Sequence, residues 1–468
     1  ALTSGGNYNV FIGEEAGGAL TVGTNNIAIG YGSLDAADNG EDDNIAIGLN
    51  ALGDLNHASS VKNIAIGNNA GDGMGTLAGS TNNIFMGYDA GGGTWATAVS
   101  IDNVAIGNYA MDAAMNGCSY NTGVGHLALS ALTEGDHNVA VGRIAGDALT
   151  TGSSNVIIGS GAGSDTVDVD SAVIIGTDAG AANLTSGADG AILIGHGAGQ
   201  ALTSGGRNTA IGFETLMTAT ELTHNIAIGR QALKDSSATT SHRNIAIGSH
   251  SMDSIGANVA NDNVCLGYDT GTATTTADNN ILIGSYAGDA LNTGGDNVAI
   301  GKNALGAATN TGGVVAIGYE AGASVNSNDS NLSVFIGYQA GNAITDGEHN
   351  TFIGYNAGAL EQTGNNNIAI GYACFDETSN ASSENVYIGV GAGGGNDGSA
   401  SHYNVGIGRD ALAGALSAAS NNTAVGYKAG ESITDGNNNI LVGGAAGLDL
   451  TGGGNNVFIG YKAGANAT

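Results

Sequence analysis

Polar and apolar positions along this chain follow one short phrase: asparagine, a β-branched residue, an apolar residue, a second aliphatic residue, then glycine. The phrase runs from Asn9-Val10-Phe11-Ile12-Gly13 to Asn456-Val457-Phe458-Ile459-Gly460, with 26 such glycines spaced 17 to 20 residues apart. Apolar runs of three, bounded by turn residues, predict short strands rather than helices. A repeat this short suits one coil of a β-solenoid. The expected fold is all-β: a β-solenoid or β-roll of about 26 rungs, continuous over residues 1–468. At a strand spacing of about 4.8 Å such an array would extend roughly 125 Å.

Taking the shared glycine as position zero, asparagine stands at minus four in 22 of the 26 rungs, so the exceptions (Ala172, Ala191, Val314, Ser333) mark where a stacked column would break. Stacked asparagines such as Asn26, Asn297 and Asn456 are expected to form an amide ladder. Gly30, Gly301 and Gly460 are expected to turn a corner that needs positive φ or close backbone approach. Positions minus three and minus one are aliphatic, or threonine at minus three in four rungs. They share one face of a strand, and this reading places them inside the coil. Minus two then points outward, yet it is mostly alanine, with Phe11, Phe85, Phe335, Phe352 and Phe458 among the larger residues. A strand apolar on both faces is buried on both faces, so these phenylalanines are expected at a subunit interface. Beyond the glycine, plus three is alanine in 21 rungs, and plus four is either glycine or a bulky Leu, Met or Phe, the start of a second short wall.

Composition sharpens the picture. There are 83 glycines and no proline, which separates the chain from collagen and from flexible linkers and suits an uninterrupted backbone ladder. A net charge of −32 argues against nucleic acid and anionic membranes as partners. No run of about 20 apolar residues is present to span a bilayer, so membrane insertion is not expected. Cys118, Cys265 and Cys374 are far apart and suggest no disulfide framework. The array begins and ends within a rung, and is expected to be one part of a longer or processed protein.

Segments such as Asn422-Thr423-Ala424-Val425-Gly426-Tyr427-Lys428-Ala429-Gly430 and Asn297-Val298-Ala299-Ile300-Gly301-Lys302-Asn303-Ala304-Leu305 resemble the N-T-A-V-G-Y-x-A-L repeats of bacteriophage tail fibres. They are also similar to the repeats in the heads of trimeric autotransporter adhesins. The resemblance spans the whole chain. It implies a parallel homotrimer of left-handed β-rolls, intertwined or side by side, used outside the cell as a fibre or receptor-binding head. The rungs are longer than the adhesin coil, and nothing resembles an autotransporter stalk, a membrane anchor or the self-cleaving chaperone of phage fibres.

Several residues invite a more specific reading. Tyr319, Tyr338, Tyr355 and Tyr372 follow the glycine in four consecutive rungs, as an aromatic strip to contact sugars or as a structural ladder. Trp95, the only tryptophan, lies within one of the two longest gaps, which flank Gly87, and is either a recognition residue in a protruding loop or a plug. Acidic turns (Asp38–Asp43; Asp165, Asp168, Asp170) admit Ca²⁺ chemistry, but solvated turns are the simpler reading, and no cofactor is expected. His137, His224 and His349 are too far apart along the array to share a metal and are expected at the surface. No catalytic constellation stands out, and the chain is not expected to be an enzyme. The expected role is an extracellular fibre or adhesin shaft, self-associating as a homotrimer or end-to-end filament and binding a cell-surface receptor or glycan. A polysaccharide-binding or polysaccharide-cleaving solenoid like a tailspike is the alternative; it would need paired acids on neighbouring rungs. An ice-binding face would need aligned threonines that this chain lacks.

Overall fold

The computed structural model describes residues 6–37, 40–75, 79–95, 98–236, 241–255, 259–326, 332–376, 381–395 and 399–467. The chain forms two compact units, Ala1–Thr240 and Ser241–Thr468. Among the described residues the first contains thirteen three-residue strands, from β1 (Val10–Ile12) to β13 (Ile226–Ile228). The described residues of the second contain thirteen more, from β14 (Ile245–Ile247) to β26 (Val457–Ile459). Within each unit successive strands pair in parallel and in register, as Val10 with Ile27 and Val298 with Val315. The only helical turns among the described residues are two 3-10 segments, Asp72–Met74 and Ser186–Ala188. The fold is thus a parallel β-solenoid, one coil per repeat.

Within each unit, backbone bonds hold successive coils together both at the strand and beyond the corner. At the strand, Val10 N donates to Asn26 O at 2.8 Å, and Gly30 N donates to Ile12 O at 2.9 Å. Past the corner, Leu52 N donates to Ala70 O at 2.9 Å, so the second wall is a ladder too. Proline anywhere in these ladders would delete a donor, which explains its absence.

The corner glycines share a φ between 128° and 150°. A Cβ on Gly13 would stand 2.6 Å from the Gly30 carbonyl oxygen, and one on Gly443 would stand 2.5 Å from that of Gly460. Backbone conformation and close rung-to-rung approach each demand glycine here.

The strand faces are reversed from the sequence expectation. The middle residue of the strand points into the coil: Ala28, Phe85, Phe335 and Phe352 are fully buried within their own chain. Phe11 and Phe458, in the first and last strands, occupy the same inward position and are half-buried. None of these phenylalanines forms an outward interface column. The flanking aliphatics face out instead, with Ile106 38 %, Ile158 37 % and Ile281 40 % exposed. Parity explains the reversal. The minus-four asparagine is also fully buried, and residues two apart on a strand share a face, so minus four, minus two and zero all point inward.

Core volume is conserved rung by rung. Twelve rungs carry Phe, Tyr, Ile, Leu or Cys at minus two, and all twelve have glycine at plus four. The ten rungs with Leu, Met or Phe at plus four all have Ala or Gly at minus two. The other four, at Gly71, Gly146, Gly322 and Gly430, are small at both positions and receive a large neighbour. A Cβ on Gly322 would lie 2.8 Å from Phe335, and one on Gly430 2.8 Å from Leu441. Two large side chains at one level would overfill a close-packed coil, and two small ones without help would leave a void.

Candidate functional site

The asparagine column is the most extensive polar arrangement in the core. Asn297 donates through N and Nδ2 to Asn280 Oδ1, both at 3.0 Å, and through Nδ2 to Thr311 O at 2.8 Å. Asn26 does the same with Asn9 Oδ1 at 2.8 and 3.2 Å, and Asn456 with Asn439 Oδ1 at 3.0 Å. Where the column is unbroken within a unit, each amide thus clasps that of the previous rung, and most also tie a turn of their own coil, as Asn297 does. Where the column breaks, other groups take its place: Ala191 N donates to the backbone Ala188 O at 3.1 Å from the second 3-10 turn, and the Ser333 hydroxyl accepts from Asn350 N at 3.0 Å.

Trp95 is not a protruding recognition residue. It is 4 % exposed, its N donates to Gly73 O at 2.9 Å, and its ring meets Phe85 edge-on at 5.8 Å. The long rung folds back to place the indole in the core, because so large an apolar surface gains more from burial than from exposure. Residues 96 and 97 of this segment lie outside the described residues.

Tyr319, Tyr338, Tyr355 and Tyr372 do come together. Successive ring centroids are 5.0, 5.0 and 5.1 Å apart, with interplanar angles of 13°, 8° and 8°. Their exposure rises from 36 to 57 % along the strip. Neighbouring rings cover one another's faces, so most of what meets solvent is ring edge and hydroxyl, a poor platform for stacking on a sugar. Glu320 accepts a hydrogen bond from Tyr319 and, together with its charge, raises that phenol above its ordinary value. Beside the strip lies an open cleft of about 590 Å³, walled by Tyr286, Asp289, Asn303, Glu320 and Asn342 over small residues. With one aromatic ring, two carboxyl groups and two amides, its lining suits a ligand rich in hydrogen-bond donors rather than an anion.

The acidic turns spend their carboxylates on neighbouring rungs. Asp42 Oδ1 accepts from Thr24 N at 2.6 Å and Thr24 Oγ1 at 2.8 Å; Asp170 accepts from Ser153 N at 2.6 Å and Asp168 from Ser186 N at 2.9 Å. Asp38 and Asn39 lie outside the described residues. Among the described residues no group of three or more His, Cys, Asp or Glu is arranged to hold a metal. One carboxyl is distinctive: burial, with the Asp54 and Asp89 charges, raises Asp72 to about 6.

His137, His224 and His349 are exposed. His137 stacks on Tyr120 at 4.9 Å, and His224 Nε2 lies 3.3 Å from an Arg207 guanidinium nitrogen. The three cysteines are buried, with Cys118 pushed up to about 11 and Cys374 to about 12, so none is a ready nucleophile.

The feature that sequence reasoning misassigned is the outward face. In each unit the minus-three and minus-one side chains form two adjacent exposed columns, Val, Ile, Leu or Met apart from four threonines at minus three. Sixteen of these side chains are at least 36 % exposed and the rest part-buried, so each unit carries a continuous, partly exposed apolar strip. A contiguous apolar strip of this kind marks an interaction surface rather than scattered exposed aliphatics. The signal that could have found it was the exclusion between bulk at minus two and bulk at plus four, which only residues sharing one interior would obey. Among the described residues no helix is long and apolar enough to cross a membrane. No protein-family model matches the chain, and no curated protein matches it either.

Proposed function

We propose that this chain is a structural protein, the shaft of an extracellular fibre or adhesin, and that it works as a parallel homotrimer. The observation that carries this reading is the paired column of outward Ile and Val. It is regular and lies on the outward side of each strand within a unit, so the same strip on a second and third copy would complement it in register. Three strips facing a common axis would remove all three from water, while the acidic turns stay outside to keep fibres apart. The resemblance to phage tail-fibre and autotransporter-head repeats agrees with this arrangement. The mechanism is mechanical: backbone ladders, the asparagine column and the trimer seam resist unfolding together. A receptor or glycan then meets many equivalent weak sites along the shaft, with avidity in place of a single tight pocket. The test is the pair Ile281→Lys and Ile283→Lys on β16 (Ile281–Ile283), read by native mass. The pair should weaken or dissociate the assembly with the coil intact, and an unchanged native mass would refute the seam.

A second reading, a polysaccharide-cleaving solenoid, has one observation in its favour: the raised Asp72 carboxyl between Asp54 and Asp89 is the sort of group that donates a proton to a leaving oxygen. Release of reducing ends from a capsular polysaccharide, abolished by Asp72→Asn, would establish it.

A further inference from the structure

The tyrosine strip has the geometry of a reactive site. Four phenols on consecutive rungs of one unit are exposed, nearly parallel and 5.0 to 5.1 Å apart. Van der Waals contact between stacked carbons comes at about 3.5–4.0 Å, so the rings retain room to slip across one another. The exposed Tyr31 and Tyr427 have no tyrosine stacked on them among the described residues. The residues that usually intercept one-electron oxidants are withdrawn: Trp95 is in the core, and Cys118, Cys265 and Cys374 are buried with their thiols held protonated. At the head of the strip Glu320, itself held ionised by Gln339 and Tyr319, sits ready to take a phenolic proton.

We propose that Tyr319, Tyr338, Tyr355 and Tyr372 form an oxidative cross-linking site, at which hydrogen peroxide and a haem peroxidase join neighbouring rungs of one chain by dityrosine bonds. Each of two adjacent phenols loses one electron and its hydroxyl proton, giving two phenoxyl radicals. A carbon–carbon bond then forms between the ring carbons ortho to the oxygens. The hydrogen on each of those carbons moves as a proton to its own oxygen, restoring both phenols. The two electrons and two protons released reduce one hydrogen peroxide to two waters, so the chain loses two hydrogens per bond. Strand register favours the reaction within a chain, because the partner ring is already in place and needs only a side-chain rotation. The product would be a covalent staple between rungs 17 to 19 residues apart, along a fold otherwise held by hydrogen bonds and packing.

The experiment treats the full-length chain with peroxidase and limiting hydrogen peroxide, then maps cross-linked peptides by mass. The expected products are intrachain bonds between Tyr319 and Tyr338, Tyr338 and Tyr355, or Tyr355 and Tyr372, each with a loss of two hydrogens. The double variant Y338F/Y355F keeps the stack of rings but leaves no two phenols of the strip adjacent, so the yield of cross-links within the strip should fall at least tenfold, counted apart from the edge-on pairs Tyr88–Tyr109 and Tyr268–Tyr286. A Y31F/Y427F control should leave the yield unchanged. Cross-links spread over Tyr31 and Tyr427, bonds only between chains, or an undiminished yield in Y338F/Y355F would each overturn the assignment.

Discussion

Exchanging core volume between two positions of one rung tests the interior of the coil most sharply, and Phe352 with Gly358 is the pair to use. Phe352 is fully buried and touches the ring systems of Phe335 at 5.7 Å and Phe375 at 6.1 Å. Removing it as Phe352→Ala should cost about 3–5 kcal/mol, from lost transfer energy and the cavity left behind. Gly358→Leu alone places a Cβ 2.5 Å from Phe352 Cε2, at a φ of +58°. Overpacking should cost about 1–3 kcal/mol, and the left-handed backbone about 1–2 kcal/mol more. The double variant, however, reads like the natural rungs of Ala28 with Leu34 or Ala299 with Leu305, where leucine accepts φ of +53° and +51°. Only the backbone cost, about 1–2 kcal/mol, should remain. The two single variants should therefore couple favourably by at least about 2 kcal/mol, well above the roughly 0.5 kcal/mol scatter expected of independent sites. The assay is denaturant unfolding of the whole chain, with amide exchange at Gly354 and Gly371 as the local readout, since a repeat array can open rung by rung. If the two substitutions add within about 0.5 kcal/mol, the two positions do not share one interior and the assigned parity fails.

Three further outcomes follow from the ladders and the acidic turns. Asn280→Ala removes bonds to Asn263 and Gly294 and strips Asn297 N of its acceptor, so opening at those rungs should become easier by about 2–4 kcal/mol in amide exchange. Gly301→Ala should be more damaging than Gly460→Ala by thermal unfolding: both have positive φ, but a Cβ on Gly301 collides with the next rung, whereas one on Gly460 meets only Ala463, at 3.9 Å. The raised Asp72 carboxyl binds its proton more tightly in the folded chain than in the unfolded one, so its contribution is fully present below about pH 4 and is lost as pH rises through about 6. Asp72→Asn should accordingly raise the unfolding midpoint at pH 7.5 and change it little at pH 4.

Much of the architecture was written in the spacing. Strand position, parallel register and the corner glycine follow from a phrase that recurs at nearly fixed spacing, with only a second short wall and turn residues between copies. The inward or outward sense of the strand was harder, because Val, Ile, Ala and Phe are all apolar and a period of two in hydrophobicity is missing. Two local signals carried it nonetheless. Asn297 can clasp Asn280 only if the asparagine points inward, which turns Val298 and Ile300 outward and Ala299 inward. Phe335 and Gly341, or Ala28 and Leu34, trade size as neighbours in one core do. Of the two readings left open for Trp95 the plug holds and the recognition residue does not, because the extra residues of the long rung let the chain fold an indole onto Phe85. The tyrosine strip was visible as a column, but ring orientation depends on side-chain torsions that repeat spacing does not encode. It is orientation that turns the strip from a sugar platform into stacked, edge-exposed phenols.

The central claim is that the outward Ile and Val columns meet further copies of the same chain, and native mass in solution tests it most directly. Light scattering on the purified full-length chain should give three times the 45.6 kDa of one chain, unchanged on dilution through the micromolar range. A stable monomer at the same concentrations, with its apolar strip facing water, would contradict the account.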